Sequence, residues 1–194
     1  MKITASQVNE LRKKTGSGMM DCKKALVEAE GDMETAIDIL RKKGQKVAAK
    51  RSDRETGEGL VLANINANGS RGYLVVLGCE TDFVAKNDTY NQLTQSFVKI
   101  AMDNNPANLE EFNALKYDDK LTVAEKIIEQ VGVIGEKLVL DYKVVDAECV
   151  VAYNHPGNQI ATIVGLNKNG EEVAIAGKQV AMQVASMAPV ALNK

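Results

Sequence analysis

The chain has 194 residues, with 24 basic and 26 acidic side chains and a formal net charge of -2. Its composition, 45% hydrophobic and 26% charged, excludes a disordered chain, and its length is enough to bury a core. No run approaches the ~20 apolar residues of a membrane span, Met1-Lys2-Ile3-Thr4 starts no signal peptide, and the three cysteines, Cys22, Cys79 and Cys149, are too scattered for a disulfide framework or a zinc site. A cytoplasmic location is therefore expected. The single histidine, His155, rules out any metal site built on two imidazoles. No phosphate-cradling G-x-x-x-x-G-K-[ST] or G-x-G-x-x-G motif occurs. With no catalytic constellation, the pattern favours a binding protein over an enzyme, without a cofactor or metal of its own.

From the N-terminus, Thr4 and Gln7 are spaced as a capping box, and Ile3 before the cap can pack on Val8. Gly16 supplies the stop of this first helix. The second helix carries Met19, Cys22, Leu26 and Ala29 on one stripe and stops at Gly31. Asp32 caps a third, with Met33, Ala36, Ile37 and Leu40 inward, expected to end near Gly44. Residues 1–44 thus form a three-helix module. Of the adjacent Met19 and Met20, helical geometry sends one to the core and leaves the other exposed beside Gly18 as a docking patch; burial of both is the plainer alternative.

Residues 45–57 read as a basic helical linker. Up to residue 57 the chain carries 13 basic against 9 acidic groups, a net of +4, with the excess in the run from Arg41 to Arg54. Such a run is usually a solvated face. No aromatic residue is interleaved to stack on bases, so no direct nucleic-acid contact is expected.

Residues 58–194 form the core domain. The hydrophobic period changes to 2 at Leu60–Asn66 and Tyr73–Cys79, two strands joined through Asn68-Gly69-Ser70. A helix is predicted over Asp88–Asp103 and a shorter one over Leu109–Leu115. Thr122 and Glu125 form a second capping box, opening a helix expected to stop at Gly132. Strands follow at Lys137–Val145, Glu148–Tyr153 and Ile160–Leu166, then a helix over Glu171–Met187 with Val173, Ala176, Val180 and Val184 on its inner face. The fold class is α+β: a three-helix bundle followed by an antiparallel sheet covered on one side by helices. Between the second strand and the long helix lies Thr81-Asp82-Phe83-Val84. Phe83 is either a core side chain at a strand end, with Asp82 capping the next helix, or an exposed anchor for a partner's pocket; spacing leaves both open.

Three ordered motifs resemble the translation elongation factor Ts family: Leu11 to Leu26 around Thr15-Gly16-Ser17-Gly18-Met19-Met20, then Cys79 to Asn87 around Thr81-Asp82-Phe83-Val84, and Val180 to Pro189. Ser17 stands where alanine is usual in that family. The resemblance implies a ubiquitin-associated-like N-terminal bundle that docks on elongation factor Tu, and a guanine-nucleotide exchange function on that partner. It gives Thr81, Asp82, Phe83 and Val84 the role of dislodging magnesium in the partner. It makes Gly18, Met19, Met20 and His155 partner contacts, with the family's Ile-Gly contact placed at Val131-Gly132. Many family members continue into a second core half beyond the position where this chain ends at Lys194, so a short or C-terminally shortened form is expected. Some short members work as homodimers, which brings a homodimer into view. A non-exchanging module that grips a helix or peptide through the Gly16–Met20 surface is the alternative reading.

Overall fold

The computed structural model describes residues 3–189; the end at Lys194 lies outside them. Three helices open the fold: α1 (Ala5–Thr15), α2 (Met19–Glu28) and α3 (Met33–Lys50). The Thr4–Gln7 capping box is formed in both directions, and Gly16 closes α1 at φ 70°. Asp32 caps α3 by accepting from the Thr35 N–H at 2.8 Å. Leu11, Cys22, Leu26 and Ala36 are buried together, with Ile3 and Ile37 packed against them.

Two features of this bundle differ from the sequence reading. Met19 and Met20 are both exposed, because Cys22, Ala25 and Leu26 supply the inner face of α2. Helix α3 does not end at Gly44 but runs on to Lys50. Gly44 is instead the point where α3 crosses α7 (Val123–Ile134). A Cβ on Gly44 would lie 2.9 Å from the Ile128 carbonyl oxygen, and one on Gly132 would lie 2.7 Å from the Gly44 Cα. Glycine here permits backbone contact between helices.

The core begins with β1 (Glu58–Ile65) and β2 (Arg71–Cys79), an antiparallel hairpin. The chain then makes the four-residue α4 (Asp82–Ala85), the long α5 (Asp88–Asn104), the short α6 (Leu109–Ala114) and α7 before returning as β3 (Val139–Asp146), antiparallel to β2. On one face of this three-stranded sheet, Tyr73, Val75 and Leu77 pack against Tyr90, Phe97 and Ala101 of α5. The period of 3.6 in α5 meets the period of 2 in β2 there.

The expected single sheet is in fact two. β4 (Cys149–Asn154) and β5 (Ala161–Leu166) pair only with each other. This hairpin covers the second face of the first sheet, where a Cβ on Gly72 would meet the Val150 Cγ1 at 2.6 Å. The Asn154 side chain fastens it, accepting from the Ala63 N–H at 2.7 Å and donating to the Ala63 carbonyl at 2.8 Å. Cys149 and Val151 face the other way, onto α8 (Glu171–Met187). The inner face of α8 is Val173, Ala174, Gly177 and Ala181, and Val180 points outward. Small residues win that face because a Cβ on Gly177 would already sit 2.6 Å from Leu166 Cδ1. The layers are thus helices, sheet, hairpin and α8.

Candidate docking and release site

Phe83 lies in the second position of α4 and is 84% exposed, the most exposed large apolar side chain among the described residues. It is therefore not a core residue. Its neighbours explain why it stays fixed while its ring is in solvent: Ala85 is buried and Val84 packs on the core cluster. Asp82 does not cap the following helix. It pairs with Lys86 one turn on, at 2.6 Å, and the Lys86 ammonium holds its carboxyl below the usual range. The cap of α5 is Asn87, which accepts from the Thr89 N–H.

Phe83 stands on the rim of a groove of about 650 Å³ between α1, α4–α5 and α7, whose walls include Lys14, Gly16, Val84, Val133 and Ile134. On the floor, the Tyr90 hydroxyl donates to the Leu77 carbonyl at 2.7 Å, and burial pushes its pKa up. Helix α7 does not stop at Gly132; it continues to Ile134 and is closed by Gly135 at φ 81°. Val131 is consequently buried and Gly132 is turned onto Gly44. The chain's literal Ile-Gly pair, Ile134-Gly135, falls at the helix end, with Ile134 on the same groove as Phe83. The sequence reading took the earlier glycine, Gly132, as the helix stop.

The turn before Phe83 is held by charge. Glu80 accepts from Arg51 at 2.6 Å, Arg54 at 3.0 Å and the Lys137 backbone N–H at 2.6 Å. The Lys137 N–H is the largest of the influences that bring its pKa down to about 2, against the upward effect of desolvation, and the two guanidinium groups add to it. The side chain of Lys137 donates to the carbonyls of Ser52 and Arg54. The basic segment after α3 is thus folded onto the core through Arg51 and Arg54.

The other predicted contacts lie apart from this groove. Gly18, Met19 and Met20 start α2, and exposed Val27 extends their apolar surface along the helix. His155 is exposed in the β4–β5 turn, sharing a hydrogen bond of 2.8 Å with the Tyr153 hydroxyl. Among the described residues, no group of three or more His, Cys, Asp or Glu side chains could hold a metal ion, and no helix is long and apolar enough to cross a membrane.

Exposed apolar groups thus stand on two separate parts of the frame, Phe83 on α4 and Met19, Met20 and Val27 on α2, an arrangement suited to contact with another macromolecule. The family of elongation factor Ts matches residues 80–194. Elongation factor Ts of Amoebophilus asiaticus is 51% identical over the whole of this chain and 70% of its own length. The protein of that name from Christiangramia forsetii is 52% identical over the same shares, and that of Flavobacterium psychrophilum 48% over 99% of this chain and 69% of its own length. The chain belongs to the elongation factor Ts family.

Proposed function

We propose that this chain promotes the release of GDP from elongation factor Tu during translation elongation. The exposure of Phe83 on a short, well-fastened helix is the observation that carries this reading. A GTPase grips its nucleotide through a phosphate-binding loop and a Mg²⁺ bridging the phosphates. Because Mg²⁺ demands near-ideal octahedral geometry, small displacements around it weaken binding disproportionately. Phe83, presented by Thr81, Asp82 and Val84, wedges into the G domain and displaces that surround. In place of Val131-Gly132, Ile134-Gly135 makes the second contact, since its isoleucine shares the Phe83 groove. Gly18, Met19 and Met20 dock the bundle, and His155 meets the partner at a separate point.

Energetics require this division. Burying the Phe83 ring contributes ~2–3 kcal/mol, and each tenfold gain in release consumes ~1.4 kcal/mol. One ring therefore supports roughly a hundredfold acceleration, and further gains need the other contacts. By linkage, whatever factor the chain takes off the partner's equilibrium affinity for GDP, bound GDP takes off the partner's affinity for the chain. The test is release of a fluorescent GDP from purified elongation factor Tu at catalytic amounts of this chain. Acceleration supports exchange. Stoichiometric binding through the α2 surface without acceleration makes the chain a docking module only.

A further inference from the structure

We infer that Glu136 is a positioning residue for the release step, fixing the turn that presents Phe83 and tying it to the helix end that presents Ile134. This rests on the proposed exchange function. Glu136 lies in the turn between α7 and β3, far in sequence from Phe83. Yet its carboxylate accepts three hydrogen bonds from the turn before α4: Oε2 from the N–H groups of Glu80 and Thr81, both at 3.0 Å, and Oε1 from the Thr81 hydroxyl at 2.6 Å. The exchange is reciprocal, because Glu80 accepts the Lys137 N–H one residue after Glu136.

The turn needs such a fastening. Helix α4 is one turn long, too short to hold itself, and its N-cap Thr81 makes no side-chain capping bond to it. Val84 and Ala85 hold its far end in the core. With the ring of Phe83 in solvent, the conformation of Glu80–Asp82 decides where it points. Since Ile134 and Gly135 directly precede Glu136, the same three bonds set the spacing between the exposed Phe83 ring and the partly buried Ile134 on the groove wall. A wedge gains only from interactions made in the distorted state of the partner, so a loosened turn costs rate more than affinity.

The test measures the GDP release rate against factor concentration for the full chain and its variants. Glu136→Ala is expected to lower the maximal rate roughly tenfold, about 1.4 kcal/mol. The half-saturating concentration should move less than about threefold, because the α2 surface is untouched. Glu136→Gln should restore the rate to within about twofold, since its amide oxygen can accept both N–H groups and its NH₂ can donate to the Thr81 hydroxyl. In the free chain, Glu136→Ala should speed hydrogen exchange at the Glu80 and Thr81 amides. If that variant does not fold, Thr81→Val, which removes one of the three bonds, should still lower the maximal rate by about threefold. A wild-type maximal rate in Glu136→Ala, equal impairment by Gln and Ala, or unchanged amide protection each overturns the inference. If the wild-type chain releases no GDP, the exchange reading fails by itself, and the amide protection still decides whether Glu136 fixes the turn.

Discussion

Phe83 and Phe97 are the same residue type in neighbouring helices, but one is 84% exposed and the other fully buried. Residue identity alone favours burial for both, which is why Phe83 could be read either way in the sequence while Phe97, on the inner stripe of α5, could not. Phe83→Ala should change stability by less than about 0.5 kcal/mol, whereas Phe97→Ala should cost about 3–5 kcal/mol; paired urea melts compare them directly. Glu80 was not legible at all, because its partners Arg51, Arg54 and Lys137 come from distant stretches of chain. Its carboxyl sits at about 2 in the folded protein against an ordinary 4.5, so the native state binds that proton less tightly than the unfolded chain. Its contribution to stability is fully present above about pH 4.5 and is lost as pH falls toward 2. The stability gap between wild type and Glu80→Gln should therefore be level from pH 7 to 5 and shrink below that. A gap that widens with acid would contradict this.

At the level of elements, the glycines separate what could be read from what could not. Gly16 and Gly135 end helices in the left-handed region, at φ 70° and 81°, as a C-terminal glycine should. Gly44, Gly132 and Gly177 lie inside helices and serve close packing instead. One residue type with two uses produced the misplaced ends of α3 and α7, and the neglect of small residues turned the inner face of α8. The capping boxes at Thr4 and Thr122 and the strand alternation are local signals, and each of those elements starts within about two residues of the expected position. Replacing a mid-helix glycine by alanine normally gains up to ~1 kcal/mol. At Gly44 the sign should reverse, because the added methyl meets the Ile128 carbonyl at 2.9 Å and overpacking costs ~1–3 kcal/mol. Gly57→Ala, with nothing within 4 Å, is the control and should be neutral or slightly stabilising in thermal melts.

For the whole molecule, α3 changes the meaning of the N-terminal module. Val47 and Ala48, beyond residue 44, pack on the central core, so the first part of the segment read as a basic helical linker is the end of α3 itself, a helix that bundle and core share. Under the proposed docking through Met19 and Met20, that shared helix would hold the Phe83 turn at a set distance from the partner. The α+β class was legible from the order of periods, but the split into two sheets was not, because the Asn154 and Gly72 contacts join strands far apart in sequence. Helix α8 leaves Ile175, Val180, Met182 and Met187 exposed, more apolar surface than the fold covers. Sedimentation velocity should show concentration-dependent self-association that Ile175→Lys with Met182→Lys abolishes; a monomer at every concentration would count against a homodimer. The central claim, that Phe83 frees GDP by disturbing the Mg²⁺ surround, is tested most directly by GDP release from elongation factor Tu with wild type and Phe83→Ala, each with Mg²⁺ present and chelated. The account predicts a maximal rate lower by roughly tenfold to a hundredfold for Phe83→Ala with Mg²⁺, and a gap that closes to within a few-fold once the ion has been removed. An equal loss in both conditions, or none in either, would contradict it.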